Sequence, residues 1–411
     1  MVYNAAIMKK ESTYTCIFGG GAIRGVAYVG AIKALDELNI KYDTLAGSSV
    51  GSIIATLVAI EYSYDEIKEI IMGVNFELFR DFHLGFGKDF ALSKGEVFTN
   101  WMREKIEKKF YGENYKKGAN KPVTFEDLDK SLLIFSTDLI DFKCKEFSKQ
   151  ETPDFEIAKA VRISCSMPGL MTSIEVDGKK LVDGDLLKST PLWSLSKNLK
   201  MDTNRIMEFR LEGNYETVEN NALDFINAIY SCMTSVSTDF IIKTYGNRDN
   251  FDYIKLNTGN VIILDFNMSE TMRNQIIDTG YKQSMNYLTN YLPNKKENLV
   301  EKYDKILKPL EKLFPFIKSN NVKTSKVLLG EIFIELIETK DLINKKIFED
   351  ILSFKDEFLN SSGGRTWFGN SKFDNQTELL KHLSNIIFKI DSTIYELKNS
   401  IKNLKKISCQ L

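Results

Sequence analysis

Ser49 is the residue of this chain whose neighbours best suit it to act as a nucleophile. It lies between Gly47 and Gly51 in the segment GSSVG, after a short apolar run and before a long one. Gly-x-Ser-x-Gly between a strand and a helix is typical of a nucleophile elbow, a turn that exposes the serine hydroxyl beside the first amides of the helix. Glycine is favoured on both flanks because the turn leaves no room for a side chain. By itself the pattern is more often a plain strand-to-helix turn.

A second glycine turn precedes this segment and offers backbone N–H groups. Gly19, Gly20 and Gly21 follow a strand predicted over residues 14–18 and precede a helix predicted over 26–38. Such a turn can bind an oxyanion or a phosphate. It lacks the Gly-Lys-Ser/Thr end of a P-loop and the glycine spacing of a dinucleotide fingerprint. We therefore predict an oxyanion loop, which needs only exposed amides.

A carboxylate is the predicted base for Ser49. A Ser-Asp-His hydrolase in its usual chain order needs a histidine after the acid. His83 precedes the candidate acid, and His382 lies in a distant amphipathic segment typical of a helix surface. Asp183, in the segment VDGD, follows a hairpin predicted to turn at Asp177-Gly178. Taken alone Asp183 would more often be a turn or cap residue, but an aspartate on a loop leaving a buried strand can reach a serine.

Together, the glycine loop, the elbow and the later Asp-Gly without a histidine resemble the patatin-like phospholipase family. The similarity extends over about residues 14–292. It includes the loop and helix at 18–35, the strand at 133–139 and the small-residue run at 160–169. The resemblance implies an α/β fold of three layers, α/β/α, around a central and mostly parallel sheet. We predict a catalytic domain over 14–292 and an all-α C-terminal extension over 293–411.

The resemblance also implies a mechanism and a set of site residues. Ser49 would attack an ester carbonyl, and Asp183 would take the serine proton and return it to the leaving alcohol. The amides of Gly20, Gly21 and Ala22 would bind the oxyanion. Arg24 would shape the loop or approach a lipid phosphate. The other matching motif residues are Gly19, Gly25, Gly47, Gly51 and Gly184.

Two residues depart from the family pattern. Ala22 stands where a third loop glycine is usual; alanine keeps its N–H, so the oxyanion hole survives unless that position needs a positive φ. Asp185 stands where the acid motif usually ends in Gly or Ala. A second carboxylate there could raise the pKa of Asp183 or point to solvent. This departure is the main reason to question full activity.

Composition narrows the class of protein. The net charge of −1 does not favour a nucleic-acid partner, and five cysteines without paired spacing, CxxC or a histidine cluster do not suggest a metal site. We predict no cofactor. No secretory signal or bilayer-spanning segment is recognisable, so a cytoplasmic or peripheral membrane enzyme is expected. Its expected partner is membrane phospholipid, which it would reach from the surface of the bilayer, and a protein activator is a further candidate.

The remaining chain predicts further helices and strands. Residues 293–411 carry a net charge of +5, and helical spacing in 347–358 and 379–404 predicts two amphipathic helices that pack on each other and on the catalytic domain. The alternative is a basic membrane-docking or partner-binding appendage. Trp367-Phe368 is interpreted as an interfacial anchor or as a pair folded into the core.

The chain before residue 293 predicts further elements. Helices are predicted over 63–79, 101–110 and 222–245, and strands over 206–211 and 261–264. Residues 81–93 are predicted to form a packed loop or, alternatively, a lid or acyl-chain entrance.

These observations favour a serine lipid acyl hydrolase of phospholipase A type, acting on glycerophospholipids. Two alternatives stay open. One is a catalytically weak relative that serves as a lipid- or partner-binding module, which Asp185 and the helical extension suggest. The other is an esterase or acyltransferase on other acyl esters.

Overall fold

The computed structural model describes residues 13–75, 91–187, 205–213, 242–246, 250–261, 267–340, 342–362, 364–365 and 371–408, with three isolated positions between them. The predicted loop over 81–93 (apart from its last three residues), His83 and Trp367-Phe368 lie outside the described residues. So do most of the predicted helix 222–245, of which residues 242–245 are helical, and most of the predicted strand 261–264. The chain forms two compact units, one comprising residues 1–246 and 251–285 and the other 247–250 and 286–411. The predicted division at 292 stays a prediction.

A mixed sheet is the centre of the first unit. Its described strands are β1 (Tyr14–Phe18), β2 (Tyr42–Ser48), β4 (Ser131–Asp138), β5 (Lys143–Ser148), β7 (Ile174–Val176), β8 (Lys179–Asp183), β9 (Arg205–Glu212) and β10 (Phe251–Asn257), and β3 (Ala91–Ser93) pairs separately with β6 (Gly169–Met171). The order is β10-β9-β1-β2-β4-β8-β7, with β5 also paired to β4. The first five strands run parallel, whereas β5, β7 and β8 join antiparallel. The predicted mostly parallel sheet is confirmed.

Apolar strands and helix caps explain much of this architecture. β1 is buried at all five positions, as expected for a central parallel strand covered on both faces. The predicted hairpin turns at Asp177 and Gly178, which have φ values of 51° and 74°, the conformation that a two-residue hairpin turn requires. The helix predicted from 63 begins with a capping box, in which the Ser63 side chain accepts from the Glu66 amide and Glu66 reaches back to the Ser63 amide.

Helices flank the sheet of the first unit: α1 (Ala27–Glu37), α2 (Val50–Ala59), α3 (Tyr64–Gly73), α4 (Glu96–Tyr111), α5 (Ile157–Ser164) and α6 (Glu270–Asn286). The backbones of α1 and α6 approach each other closely where the helices cross. A Cβ on Gly30 would lie 1.9 Å from the Ile277 carbonyl oxygen, and a Cβ on Gly280 would lie 2.1 Å from the Ala27 carbonyl oxygen. Small residues on both helices therefore set this crossing.

The second unit is helical. It contains α7 (Leu292–Lys318), α8 (Val322–Thr339), α9 (Lys345–Ser361) and α10 (Gln376–Ser408). The last two match the predicted amphipathic helices, and their apolar stripes, from Ile347 to Phe358 and from Leu379 to Ile401, are buried in one common core. Two further helices, α7 and α8, were not predicted. Of the helices in the described part of the chain, none combines the length and apolar character that a bilayer crossing needs.

Candidate active site

The elbow brings Ser49 to the end of a central strand. β2 ends at Ser48 and α2 begins at Val50, so Ser49 alone forms the turn, with φ 50° and ψ −131°. This is a strained conformation for a residue with a side chain, and it is the conformation that a nucleophile elbow imposes. A Cβ on Gly47 would lie 2.4 Å from the Gly51 carbonyl oxygen, and one on Gly51 would lie 2.0 Å from that of Phe18. Both flanking positions therefore require glycine.

Ser49 and Asp183 lie within hydrogen-bonding distance. The Ser49 hydroxyl donates to Oδ2 of Asp183 at 2.7 Å, and both residues are buried, with exposed fractions of 7% and 1%. Asp183 is the last residue of β8, whereas the sequence placed it on a loop beyond the strand. Its other oxygen, Oδ1, accepts from the Asp185 amide at 2.8 Å. The Asp183 carboxylate is therefore hydrogen-bonded to the Asp185 amide through Oδ1 and to the Ser49 hydroxyl through Oδ2.

The turn after α5 holds both of these residues. The Ser49 amide donates to the Ser164 hydroxyl at 3.0 Å, and the Gly184 amide donates to the Ser164 carbonyl oxygen at 3.2 Å. The Asp183 amide donates to the carbonyl oxygen of Ser166 at 3.0 Å. The sequence marked this small-residue run only by its resemblance to the family. A serine next to the predicted acid in space could not be found from spacing alone.

The glycine loop has a more specific arrangement than predicted. The Gly20 amide donates to Oδ1 of Asp185 at 3.3 Å, so it is already engaged. Gly21 has a φ of 147° and Ala22 a φ of 48°. In the part of the chain that the structure describes, the amides of Gly21 and Ala22 donate no hydrogen bond. Ala22 thus adopts a positive φ, the condition under which alanine at this position was expected to put the oxyanion hole in question.

Asp185 does not point to solvent, which corrects one of the two expectations for it. Its side chain is buried, and Arg210 of β9 binds both carboxylate oxygens at 3.2 and 3.3 Å. The Ser48 hydroxyl donates to Oδ1 at 3.1 Å. Burial by itself lowers the pKa of the Arg210 guanidinium, but the charge of Asp185 and other neighbours outweighs this and raises it. Arg210 therefore stays protonated as the counterion of Asp185.

The other motif residues form the packing around the loop. Arg24 is 3% exposed, and its Nη1 would be 2.3 Å from a Cβ on Gly213, which favours loop shaping over contact with a lipid phosphate. The Gly19 amide donates to the Phe209 carbonyl oxygen at 3.1 Å. Gly25 and Gly184 are sites of close approach. A Cβ on Gly25 would lie 2.2 Å from the Val50 side chain, and a Cβ on Gly184 would lie 2.2 Å from the Phe135 carbonyl oxygen.

Two other residues with reactive side chains, Cys165 and His382, show no sign of a catalytic role. Burial raises the pKa of the Cys165 thiol, and the charge of nearby Asp183 raises it further, so this cysteine is kept as a neutral thiol. His382 belongs to the second unit, where its Nδ1 lies 2.7 Å from Oε2 of Glu357. This agrees with the predicted place of His382 on a helix surface.

Comparison with known proteins is consistent with this geometry. Residues 16–196 match the family model described as Patatin-like phospholipase. Uncharacterized protein R571 of Acanthamoeba polyphaga mimivirus is 29% identical over 275 residues, which cover 64% of this chain and 89% of that protein. Probable lipid hydrolase 463L of Invertebrate iridescent virus 6 is 28% identical over 191 residues, 45% of this chain and 64% of that protein.

A solved structure supports the same fold. VipD from Legionella pneumophila superposes with a TM-score of 0.50 at 17% identity, covering 94% of this chain and 90% of that one. Identity this low speaks to the fold alone. The mixed sheet, the meeting of the predicted motifs and the family match agree: residues 16–196 carry a patatin-like phospholipase domain, and one relative of this chain is named a probable lipid hydrolase.

Proposed function

We propose that this chain hydrolyses fatty acyl esters of glycerophospholipids through a Ser49–Asp183 dyad. The observation that carries the proposal is the 2.7 Å hydrogen bond from the Ser49 hydroxyl to the Asp183 carboxylate at a strained elbow. A serine hydroxyl is a weak nucleophile unless an adjacent base accepts its proton. Asp183 is the group in position to do so.

In the first half of the reaction, Asp183 accepts the Ser49 proton while Oγ bonds to the acyl carbonyl carbon. The carbonyl oxygen becomes an oxyanion, which the loop amides stabilise; each donor of this kind contributes about 3 kcal/mol to lowering the barrier. The tetrahedral intermediate then loses the lysophospholipid alcohol, which takes the proton from Asp183. The product is an acyl-enzyme on Ser49.

In the second half, water replaces the alcohol. Asp183 accepts a proton from the water molecule while the water oxygen bonds to the acyl carbon. A second oxyanion forms, and the same loop amides stabilise it. Collapse breaks the bond to Ser49 Oγ, which recovers its proton from Asp183, and the fatty acid leaves. The dyad is thereby restored.

The phospholipid substrate rests on the family and on the names of relatives such as probable lipid hydrolase 463L. The lipid would be met at a membrane surface, and a protein activator stays a prediction. The experiment follows fatty acid release from phosphatidylcholine vesicles, together with labelling of Ser49 by a fluorophosphonate probe, located by mass spectrometry. We expect wild type to be labelled and active, and Ser49→Ala to be neither.

Asp183→Asn tests the base against a matched control. It should lower kcat at least about 10³-fold, because an amide cannot accept the serine proton. Asp177→Asn changes the other Asp-Gly of the same hairpin, at a turn where asparagine tolerates the positive φ, and should keep full activity. Unchanged turnover in Asp183→Asn would exclude the dyad.

A second candidate is the catalytically weak lipid-binding module. The hydrogen bond from the Gly20 amide to Asp185 favours it, because this amide is one of the three predicted oxyanion donors. Vesicle binding that is equal in wild type and Ser49→Ala, with no fatty acid release from either, would establish this function in place of hydrolysis.

A further inference from the structure

Asp185 connects three parts of the proposed dyad site. Its carboxylate accepts hydrogen bonds from the Gly20 amide of the glycine loop, from the Ser48 hydroxyl before the nucleophile and from the Arg210 guanidinium of β9. Its own amide donates to Asp183 at 2.8 Å. One residue therefore contacts the loop, the nucleophile strand and the acid.

The loop is pressed directly onto this side chain. A Cβ on Gly20 would lie 2.6 Å from both Cγ and Oδ2 of Asp185, and a Cβ on Gly19 would lie 2.2 Å from Nη1 of Arg210. The Tyr28 hydroxyl also holds the loop, 2.8 Å from the Gly19 carbonyl oxygen and 3.2 Å from that of Phe209. The position of Gly19 and Gly20 is thus set by side chains beneath them.

The charges of this cluster are compensated within it. The side chains of Arg210 and Asp185 are 4% and 1% exposed, and burying either charge without the other is strongly unfavourable. A bidentate guanidinium–carboxylate pair fixes direction as well as distance. The pair therefore behaves as one rigid support that spans from β9 to the segment after β8.

We propose that Asp185 and Arg210 are positioning residues, a buried ion pair that sets the distance of the glycine loop from Ser49 and orients Asp183 for proton transfer. The inference rests on the proposed dyad function. It assigns the Gly20 amide to holding the loop, and leaves the amides of Gly21 and Ala22 to bind the oxyanion. An aspartate where the family usually has Gly or Ala is then a working part of this site.

The test removes the carboxylate and then supplies one from solution. Asp185→Ala leaves a space for a small carboxylate beside the Arg210 guanidinium, the Ser48 hydroxyl and the Gly20 amide. We measure kcat and KM on 4-nitrophenyl butyrate, and the thermal unfolding midpoint, with sodium formate and with formamide, a neutral molecule of the same shape. The control is Glu156→Ala, which removes the carboxylate partner of Arg103 in the same unit, 2.6 Å from its Nε.

We expect kcat of Asp185→Ala to fall about 100-fold with KM changed less than about threefold, since misplaced groups affect the reacting state more than ground-state binding. Formate should raise kcat at least tenfold and raise the unfolding midpoint, whereas formamide should do neither. Glu156→Ala should gain nothing from formate. Asp185→Asn keeps the acceptor oxygen without the charge and should fall between wild type and Asp185→Ala.

Two results would overturn the proposal. One is a kcat of Asp185→Ala equal to or above wild type, which would mean that the carboxylate blocks Gly20 rather than supports the loop. The other is the absence of any formate effect on both kcat and unfolding midpoint. If wild type itself has no esterase activity, the dyad fails, and the formate-dependent unfolding midpoint still decides whether the ion pair supports the loop. If Asp185→Ala does not fold, Asp185→Asn decides: a lowered kcat at a temperature well below the unfolding midpoint of this variant supports the role, and an unchanged kcat excludes it.

Discussion

The surroundings of Ser49 and the core of the helical unit are stabilised in different ways. Around Ser49, single glycines at close backbone contacts and hydrogen-bonded polar groups fix each atom. In the helical unit, a long apolar stripe on α10, including Leu383, Ile390 and Leu397, is buried among the other helices. The first arrangement specifies residue types one by one, whereas the second specifies hydrophobic volume and spacing. The two regions should therefore respond oppositely to conservative substitution.

Gly51→Ala should have the largest effect. The new methyl group would lie 2.0 Å from the Phe18 carbonyl oxygen, so the elbow must shift. We expect a loss of about 3 kcal/mol in the free energy of unfolding and a loss of at least about 100-fold in kcat, because Ser49 would be displaced. Urea unfolding and esterase kinetics measure both. Full activity would show that the elbow adapts like an ordinary core.

Leu383→Ala tests the helical unit. This side chain is fully buried, and its truncation should cost about 2–5 kcal/mol through lost burial and a cavity. Leu383→Met conserves volume and should cost less than about 1.5 kcal/mol. Hydrogen exchange of α9 and α10 reports the change in this unit. Equal costs for the two substitutions would contradict the idea that volume is what matters here.

Ser164→Ala tests the polar network that holds the elbow. The Ser164 hydroxyl accepts from the Ser49 amide and donates to the Phe135 carbonyl oxygen at 2.6 Å. Removing it leaves two buried groups without this partner, at a cost of about 1–3 kcal/mol, and should lower kcat about tenfold. Ser319→Ala, which removes a hydroxyl from an exposed residue of the second unit, is the control for both measurements.

Gly330→Ala should stabilise the protein slightly. Gly330 is in the interior of α8, and a Cβ there would meet nothing within 4 Å. Alanine should add about 0.5–1 kcal/mol, because glycine loses more backbone entropy on forming a helix. The same chemical change that disrupts the elbow thus improves α8. Urea unfolding decides, and any destabilisation would mean that this face of α8 is covered.

Ala22→Gly is the smallest predicted effect. A φ of 48° at Ala22 costs a residue with a side chain about 1–2 kcal/mol, whereas glycine adds about 0.4–1 kcal/mol of unfolded-state entropy to be lost. The net gain should be about 0.5 kcal/mol, measured by urea unfolding. A loss of stability would show that the methyl group of Ala22 packs usefully in the loop.

The same contrast explains what the sequence could predict. The elbow, the acid and the hairpin turn are local patterns with fixed chemistry, and the structure places Ser49 and Asp183 together. The partner of Asp185 could not be predicted, because Arg210 reaches it only through the parallel pairing of β9 with β1. Ser164 was missed for the same reason: its hydrogen bond with Ser49 joins residues 115 positions apart.

In the helical unit, the helices that were not predicted were missed for a different reason. α7 contains Pro309 and Pro315, residues that usually end a helix, and they hide its apolar spacing. α8 exposes Val327, Ile334 and Ile337 among its charged residues, so its apolar residues are not confined to one face and its helical spacing is hard to recognise. In the first unit, β10 alternates in burial over its last five residues, as a strand with one covered face does, yet it was not predicted.

The fixed carboxylate of Asp183 limits how the proposed reaction can proceed. An imidazole has two nitrogens and can pass a proton from one side of its ring to the other. Here Oδ1 is tied to the Asp185 amide and only Oδ2 meets the serine. One atom must therefore collect the proton and deliver it, so the departing alcohol has to leave along nearly the same path by which the hydroxyl attacked.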